Sequence, residues 1–376
     1  MPPVAPVVVV EVPPHTRRIE KEMNAAPSVA PIPVTLLSGF LGAGKTTVLN
    51  YLLANPMGRR FAIVENEFGA INIDSGLISD RRGGVVELTN GCVCCTINAD
   101  LVRGLQELAR RRTAGELSFD WIIIETTGLA DPGAVAQTFF AAPELRDTFL
   151  LDGIVVVVDA LHGAGQLDTR LVAQRQAGFA DRLLLAKSDL VDEGAVATLS
   201  ERLSSINPRA PISVLDRGRV DPGLLLGIGG FNLDASLLAA EAADRESVRY
   251  RPLSISPSGV FHKRNNATDA IRAFVVEMGE IDLSQMSDAM QSMIDEFGDK
   301  LLRYKGILAV GGEDRRLVFQ GVQRVAGFDF DALWAPDEPR VSRLVVIGEN
   351  LPEASLRQRL LACAISPRNE TAPACG

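Results

Sequence analysis

The sequence predicts an α/β protein: a doubly wound, mostly parallel sheet followed by a second, smaller α+β domain. Three observations carry this expectation. From Pro31 to about Ser236, short β-branched or leucine-rich runs alternate with helical stretches. Those runs lack polar alternation, as strands covered on both faces do. After Ser247 the order changes and strands outnumber helices.

The expected parallel strands lie at residues 34–38, 61–65, 85–88, 121–125, 154–159, 182–186 and 212–214. Helices are expected from Thr47 to Ala54, over 101–112 with Asn98 or Thr96 as cap, and over 168–178. In a sheet wound this way a ligand binds at the carboxyl ends of the strands. The second domain reads as a strand at 273–278, a helix at 283–297 with apolar residues at helical spacing, strands at 306–310, 316–320 and 342–347, and a closing helix at 352–362. The domains then span 31–236 and 247–365, between a Pro/Ala/Val-rich flexible tail at 1–30 and a second tail at 366–376.

Composition narrows the class. A chain of 376 residues with 47% apolar content can build two full cores. The net charge of −9 argues against general attraction to nucleic acid or acidic membrane. No apolar stretch reaches the ~18 residues of a membrane span. The valine run at 7–10 is bracketed by prolines and has no basic segment before it, unlike a signal peptide. Of five cysteines, three fall within four residues, which fits a reducing cytoplasm and a thiolate site better than a disulfide framework.

Chemistry begins at Gly39-Phe40-Leu41-Gly42-Ala43-Gly44-Lys45-Thr46, which matches G-x-x-x-x-G-K-[ST] between an apolar strand and a helix. That context makes it a phosphate-binding P-loop. Gly39, Gly42 and Gly44 are expected to wrap the phosphates, with Lys45 on the β- and γ-phosphates and Thr46 on Mg²⁺. Downstream, the strand at 121–125 delivers Glu125, followed by Thr126-Thr127-Gly128. Glu125 suits the metal or its water, and the Gly128 N–H suits the γ-phosphate. Ala186-Lys187-Ser188-Asp189 is like the N-K-x-D loop that selects guanine. Asp189 would accept from the guanine N1 and exocyclic amine, and Lys187 would cover the ring. Ala186 stands where Asn is usual, and a surface Lys/Asp turn is the bland alternative.

Gly91-Cys92-Val93-Cys94-Cys95 points to a soft-metal site for Zn²⁺, Co²⁺ or Cu⁺. Cys363 and Cys375 lie far along the chain, so the fourth ligand is a carboxylate, a histidine, water or a partner. An incomplete thiolate set suits a metal that must leave; simple burial of the cysteines is the alternative. Glu65 and Glu67 in Glu65-Asn66-Glu67-Phe68-Gly69 share a side of an extended backbone and could face metal or nucleotide, or form a solvated acidic loop. Asp74 is equally open. The three histidines, His15, His162 and His262, form no histidine-rich tract.

Taken together, the segments SGFLGAGKTT, VENEFG, LTNGCVCC, IIIETTGLADP, VVVVDA, ADRLLLAKSDL, LLRYKGIL, LVFQGVQ and VVIGENLP resemble the CobW-like P-loop GTPases, a family of metal chaperones and cofactor-insertion proteins. The C-terminal segments look most like its YjiA-type branch. The resemblance implies slow GTP hydrolysis with Mg²⁺, linked to Zn²⁺ (alternatively Co²⁺) at Cys92, Cys94 and Cys95. It supports Glu65 as a further metal ligand, Gly39 to Thr47 with Ala43 included as phosphate contacts, and Lys45, Glu125 and Gly128 as catalytic groups. It also implies guanine nucleotide and a client metalloprotein as partners, and leaves a homodimer open. Ala70 replaces an acidic residue common in relatives, and Phe40 stands where some dimeric relatives of the wider class carry a catalytic lysine. The competing functions are a cobalt- or corrinoid-related inserter, a nitrile-hydratase-type activator, a P-loop small-molecule kinase and a thiol redox sensor.

Overall fold

The structure is a computed structural model that describes residues 9–11, 31–66, 86–89, 97–146, 148–231 and 269–365. In chain order its elements are β1 (Val9–Glu11), β2 (Ile32–Gly39), α1 (Lys45–Ala54), β3 (Phe61–Asn66), β4 (Val86–Thr89), α2 (Ile97–Thr113), β5 (Trp121–Thr126), α3 (Pro132–Ala141) and α4 (Pro143–Arg146). Next come β6 (Phe149–Asp159), α5 (Gly163–Thr169), α6 (Leu171–Phe179), β7 (Arg182–Ala186), α7 (Glu193–Ile206) and β8 (Ile212–Val214). The second domain holds β9 (Ile271–Met278), α8 (Leu283–Phe297), β10 (Leu301–Ala309), β11 (Arg315–Val322), β12 (Val325–Leu333), β13 (Ser342–Glu349) and α9 (Glu353–Leu361).

The first sheet has the order β4-β3-β5-β2-β6-β7-β8, with every pairing parallel. Its centre is apolar on both faces: Val34, Leu36, Ile122, Ile124 and Val155 to Val158 have no exposed surface. Each such side chain stabilises the fold by about 1.5–3 kcal/mol through burial. Strand order reverses around β2, so the crevice at the carboxyl ends of β2, β5 and β6 is the site that this winding provides.

The second sheet, β1-β12-β11-β10-β13-β9, is antiparallel apart from β1, which runs parallel to β12. Helices α8 and α9 cover it through Met286, Met290, Met293, Leu356 and Leu360. Strand β12 was not among the sequence expectations, and neither was β1, which lies within the segment expected to be a tail. The linker expected at 236–249 lies outside the described residues.

The single helix expected over 168–178 is two helices. Arg170 is extended, with φ −131° and ψ 108°, and turns the chain between α5 and α6. The re-aimed α6 lies against the second domain: a Cβ on Gly178 would come within 2.8 Å of Leu302 and 3.0 Å of Ile271. Ile271, Leu302, Val322 and Ile347 of the second domain belong to the same apolar core as the first. Within the first domain Asp152 accepts the N–H groups of Ile228 and Gly229 at 3.0 Å each. A buried ion pair reinforces the join between the domains. Asp181 accepts from Ile154 N–H at 2.9 Å and from the Arg303 guanidinium at 2.7 Å, and Arg303 also reaches the Gly230 carbonyl. No helix among the described residues is long and apolar enough to cross a membrane.

Candidate nucleotide and metal site

The P-loop leaves β2 at Gly39, where a Cβ would lie 2.3 Å from the Val157 carbonyl oxygen of the adjacent strand. Gly42 and Gly44 have φ of +73° and +97°, a region that glycine enters without the steric cost of a Cβ. Gly44 N-caps α1, so the loop's N–H groups and the positive helix end converge. Ala43 and Phe40 are buried beneath it. Lys45 is only 8% exposed, and its ammonium makes two long contacts, 3.3 Å to the Gly39 carbonyl and 3.5 Å to that of Phe40. Burial pushes its pKa below the ordinary lysine range, opposed by the nearby Glu125 charge. An ammonium held this way gains most from an anion placed in the loop.

Thr46 Oγ1 donates to Glu125 Oε1 at 3.1 Å, joining the two groups expected around Mg²⁺ although 79 residues separate them. A hydroxyl and a carboxylate side by side are a hard-oxygen donor pair of the kind Mg²⁺ takes. The Thr126 hydroxyl beneath them donates to Ser38 at 3.0 Å. Gly128 sits hard against the P-loop, where a Cβ would lie 2.6 Å from Leu41 Cα. Gln176 of α6 donates to the carbonyls of Gly128 at 3.2 Å and Ala130 at 2.9 Å.

On the opposite flank Lys187 has φ +59°, unusual for a side chain with a Cβ. Its ammonium donates to the Gly42 carbonyl and to Asp159 Oδ2, both at 2.8 Å. Asp159 is 1% exposed and also accepts from the Leu161 and His162 N–H groups and pairs with the His162 ring. Burial raises its pKa, but Lys187 and His162 outweigh that and hold it below the ordinary carboxylate value. This network braces the loop where Ala186 lacks a side chain to do so. Asp189 is exposed on the 3₁₀ turn Ser188–Leu190, and its carboxylate has no bond among the described residues. The turn that follows β8 packs on the P-loop, a Cβ on Gly218 meeting Thr47 Cγ2 at 2.9 Å.

Comparison with known proteins identifies the family of both domains. The family model for the CobW/HypB/UreG nucleotide-binding domain matches residues 33–214, and that for the cobalamin synthesis protein cobW C-terminal domain matches 271–364. The chain is 41% identical over 328 residues to the zinc chaperone YjiA of Escherichia coli (strain K12), covering 87% of this chain and 97% of that one. The chain belongs to the CobW/HypB/UreG family. It is also 32% identical over 380 residues to the zinc chaperone CobW of Pseudomonas aeruginosa, covering 92% and 95% of the two. The structure of the Zn(II)-bound YjiA GTPase from E. coli matches it with a TM-score of 0.71 at 41% identity, covering 90% of this chain and 100% of that one. This CobW-family chain is a P-loop GTPase.

Cys92, Cys94 and Cys95 lie outside the described residues. Glu65 is placed by its backbone alone, at the end of β3 in register with Glu125 on one side and Thr89 on the other. Among the described residues no group of three His, Cys, Asp or Glu side chains could hold a metal. Asp159 and Gln176 were not expected site residues. Asp159 closes its strand in the VVVVDA segment with no chemistry in its neighbours to mark a role, and Gln176 is one of two amides in a helix. His162, at the same strand end, is exposed.

Proposed function

We propose that this chain is a GTP-hydrolysing metal chaperone that loads Zn²⁺ through Cys92, Cys94 and Cys95, with Glu65 as a further ligand, and passes it to a client metalloprotein. One observation supports this above others. Strands β3 and β4 end level with Glu125, through the pairs Glu65–Glu125 and Glu65–Thr89. Cys92 follows Thr89 by three residues, a covalent reach of about 11 Å. The thiol motif therefore follows closely in sequence on a strand end that is two strands from Glu125, the carboxylate that holds Thr46. A thiolate cargo site also calls for a reducing compartment, so the cytoplasm is where it would work.

The roles of the chain's own groups follow from placement. Gly39, Gly42, Ala43 and Gly44 wrap the phosphates, and Lys45 offsets charge on the β- and γ-phosphates. Thr47 anchors the loop against Gly218. Thr46 and Glu125 would hold Mg²⁺, which supplies further charge neutralisation when bound. Gly128 directs its N–H at the γ-phosphate. Asp189, exposed and without a bond among the described residues, accepts from the guanine edge, while Lys187 walls the base and ties its loop to Gly42. With Phe40 buried in the loop, no cation is supplied there, so hydrolysis is slow without help. Loss of the γ-phosphate contact at Gly128 would relax the strand ends that carry the thiols and favour metal release.

The reading is tested by GTP hydrolysis across a Zn²⁺ series buffered at defined free concentrations, for the wild type and Cys94→Ala. Hydrolysis by the wild type should depend on Zn²⁺, and that dependence should vanish in the variant. Equal dependence in both removes the thiol site from the reaction. Repeating the series with Co²⁺ separates a zinc chaperone from a cobalt inserter.

A further inference from the structure

Three consecutive side chains of α6 reach three different places. Gln174 accepts the N–H groups of Ala270 and Ile271, at 2.8 and 3.2 Å, where the second domain begins. Gln176 holds the carbonyls of Gly128 and Ala130 from the other side of the helix. Between them Arg175 bridges two carboxylates: its Nε donates to Asp131 Oδ2 at 2.8 Å and its Nη1 to Glu349 Oε2 at 2.9 Å. Asp131 closes the loop after Gly128 and uses its other oxygen to cap α3 through the Gly133 N–H at 2.9 Å. Glu349 ends β13, paired with Ile271 at the start of β9. The bridge is well shielded, with Arg175 16%, Asp131 31% and Glu349 22% exposed.

We propose that Arg175 is a positioning residue for GTP hydrolysis, fixing the 128–131 loop on the P-loop by tying Asp131 to Glu349 of the second domain. The proposal rests on the reading of Gly128 as the γ-phosphate contact. A loop that already meets Leu41 at van der Waals range cannot shift by an ångström without moving the Gly128 N–H off its target. Displacements of that size at a reacting centre cost up to about a hundredfold in rate. Arginine suits the task because its planar fork can serve two carboxylates at fixed angles, which a lysine ammonium cannot. The groups that bind the rest of the nucleotide, Lys45 and Asp189, have no contact with this bridge. Its loss therefore falls on turnover and spares affinity. Through the same link, whatever seats on the second domain and moves β13 acts on hydrolysis.

The test is steady-state GTP hydrolysis by the full chain with Mg²⁺, together with the Kd for GDP and the melting temperature. The variants are Arg175→Gln, Glu349→Gln, their combination, Arg175→Lys and Gly128→Ala. Each of the first two should lower kcat about five- to twentyfold, with KM for GTP and Kd for GDP within about twofold of wild type. The combination should be no worse than Arg175→Gln alone, because both break one link. Arg175→Lys should recover part of the loss. If Gly128→Ala, whose Cβ would press on the P-loop at Leu41, abolishes hydrolysis while Arg175→Gln leaves kcat unchanged, the bridge does no positioning and the proposal fails although the fit of the 128–131 loop on the P-loop still matters. If Gly128→Ala also leaves kcat unchanged, the reading of Gly128 as the γ-phosphate contact fails and takes the proposal with it. A fall in kcat that tracks a fall in melting temperature and a rise in KM shows a structural role only, and overturns the proposal as well.

Discussion

Asp159 shows how one buried carboxylate organises the nucleotide end of the sheet. It holds Lys187, whose other bond is to the P-loop at Gly42, so two loops 145 residues apart share one ion pair. Its folded-state pKa lies below the ordinary 3.8, so the folded protein binds fewer protons than the unfolded chain as acid is added. Its stabilisation is therefore complete above pH 3.8 and is lost as the pH falls through the lower folded value. Asp159→Asn should cost about 1–2 kcal/mol at pH 7, and the gap in melting temperature from wild type should close below pH 4. A gap that persists unchanged at pH 3 contradicts this. The P-loop, Glu125 and the Lys187/Asp189 pair were legible from sequence because each is a local pattern at the end of an apolar run. Asp159 and Gln176 were not, because their roles arise only when the fold brings distant loops together.

Among the elements, α6 does the most to connect chemistry with architecture. Its start is hidden in sequence, since Arg170 and its neighbours carry no Gly or Pro to mark the break. Its far end is packed so closely on Leu302 and Ile271 that Gly178 leaves no room for a side chain. Gly178→Leu should overpack this contact by about 1–3 kcal/mol and lower the melting temperature, an effect denaturant unfolding would read directly. A neutral result means that the two domains separate easily along this face. Strand β12 is hidden in the sequence for a different reason. Gly327, Asp329 and Asp331 interrupt its apolar pattern, and most of its residues are only half-buried. The strands at the centre of the first sheet were plain because burial on both faces demands unbroken apolar runs.

At the level of the whole chain, two family-defined domains share a core and a buried ion pair. Arg303 and Asp181 are 2% and 5% exposed, and the guanidinium stacks 3.7 Å over the Phe231 ring. Removing one partner of such a pair leaves the other charge buried, which costs about 3–5 kcal/mol. Asp181→Ala should therefore destabilise the protein by that order in equilibrium unfolding and convert one cooperative transition into two. A single transition at an unchanged midpoint would show that the domains do not depend on this contact. Such a join matters because a chaperone must report its nucleotide state to whatever it serves. By linkage, any effect of nucleotide on metal affinity is returned as an equal effect of metal on nucleotide affinity, of the order of 1–3 kcal/mol in coupled proteins. The most direct measurement is the Zn²⁺ affinity of the full chain with a non-hydrolysable GTP analogue, with GDP and without nucleotide. The expected result is an affinity that differs at least about fivefold between the analogue-bound and GDP-bound forms. Equal affinity in all three forms contradicts nucleotide-controlled metal delivery by this protein.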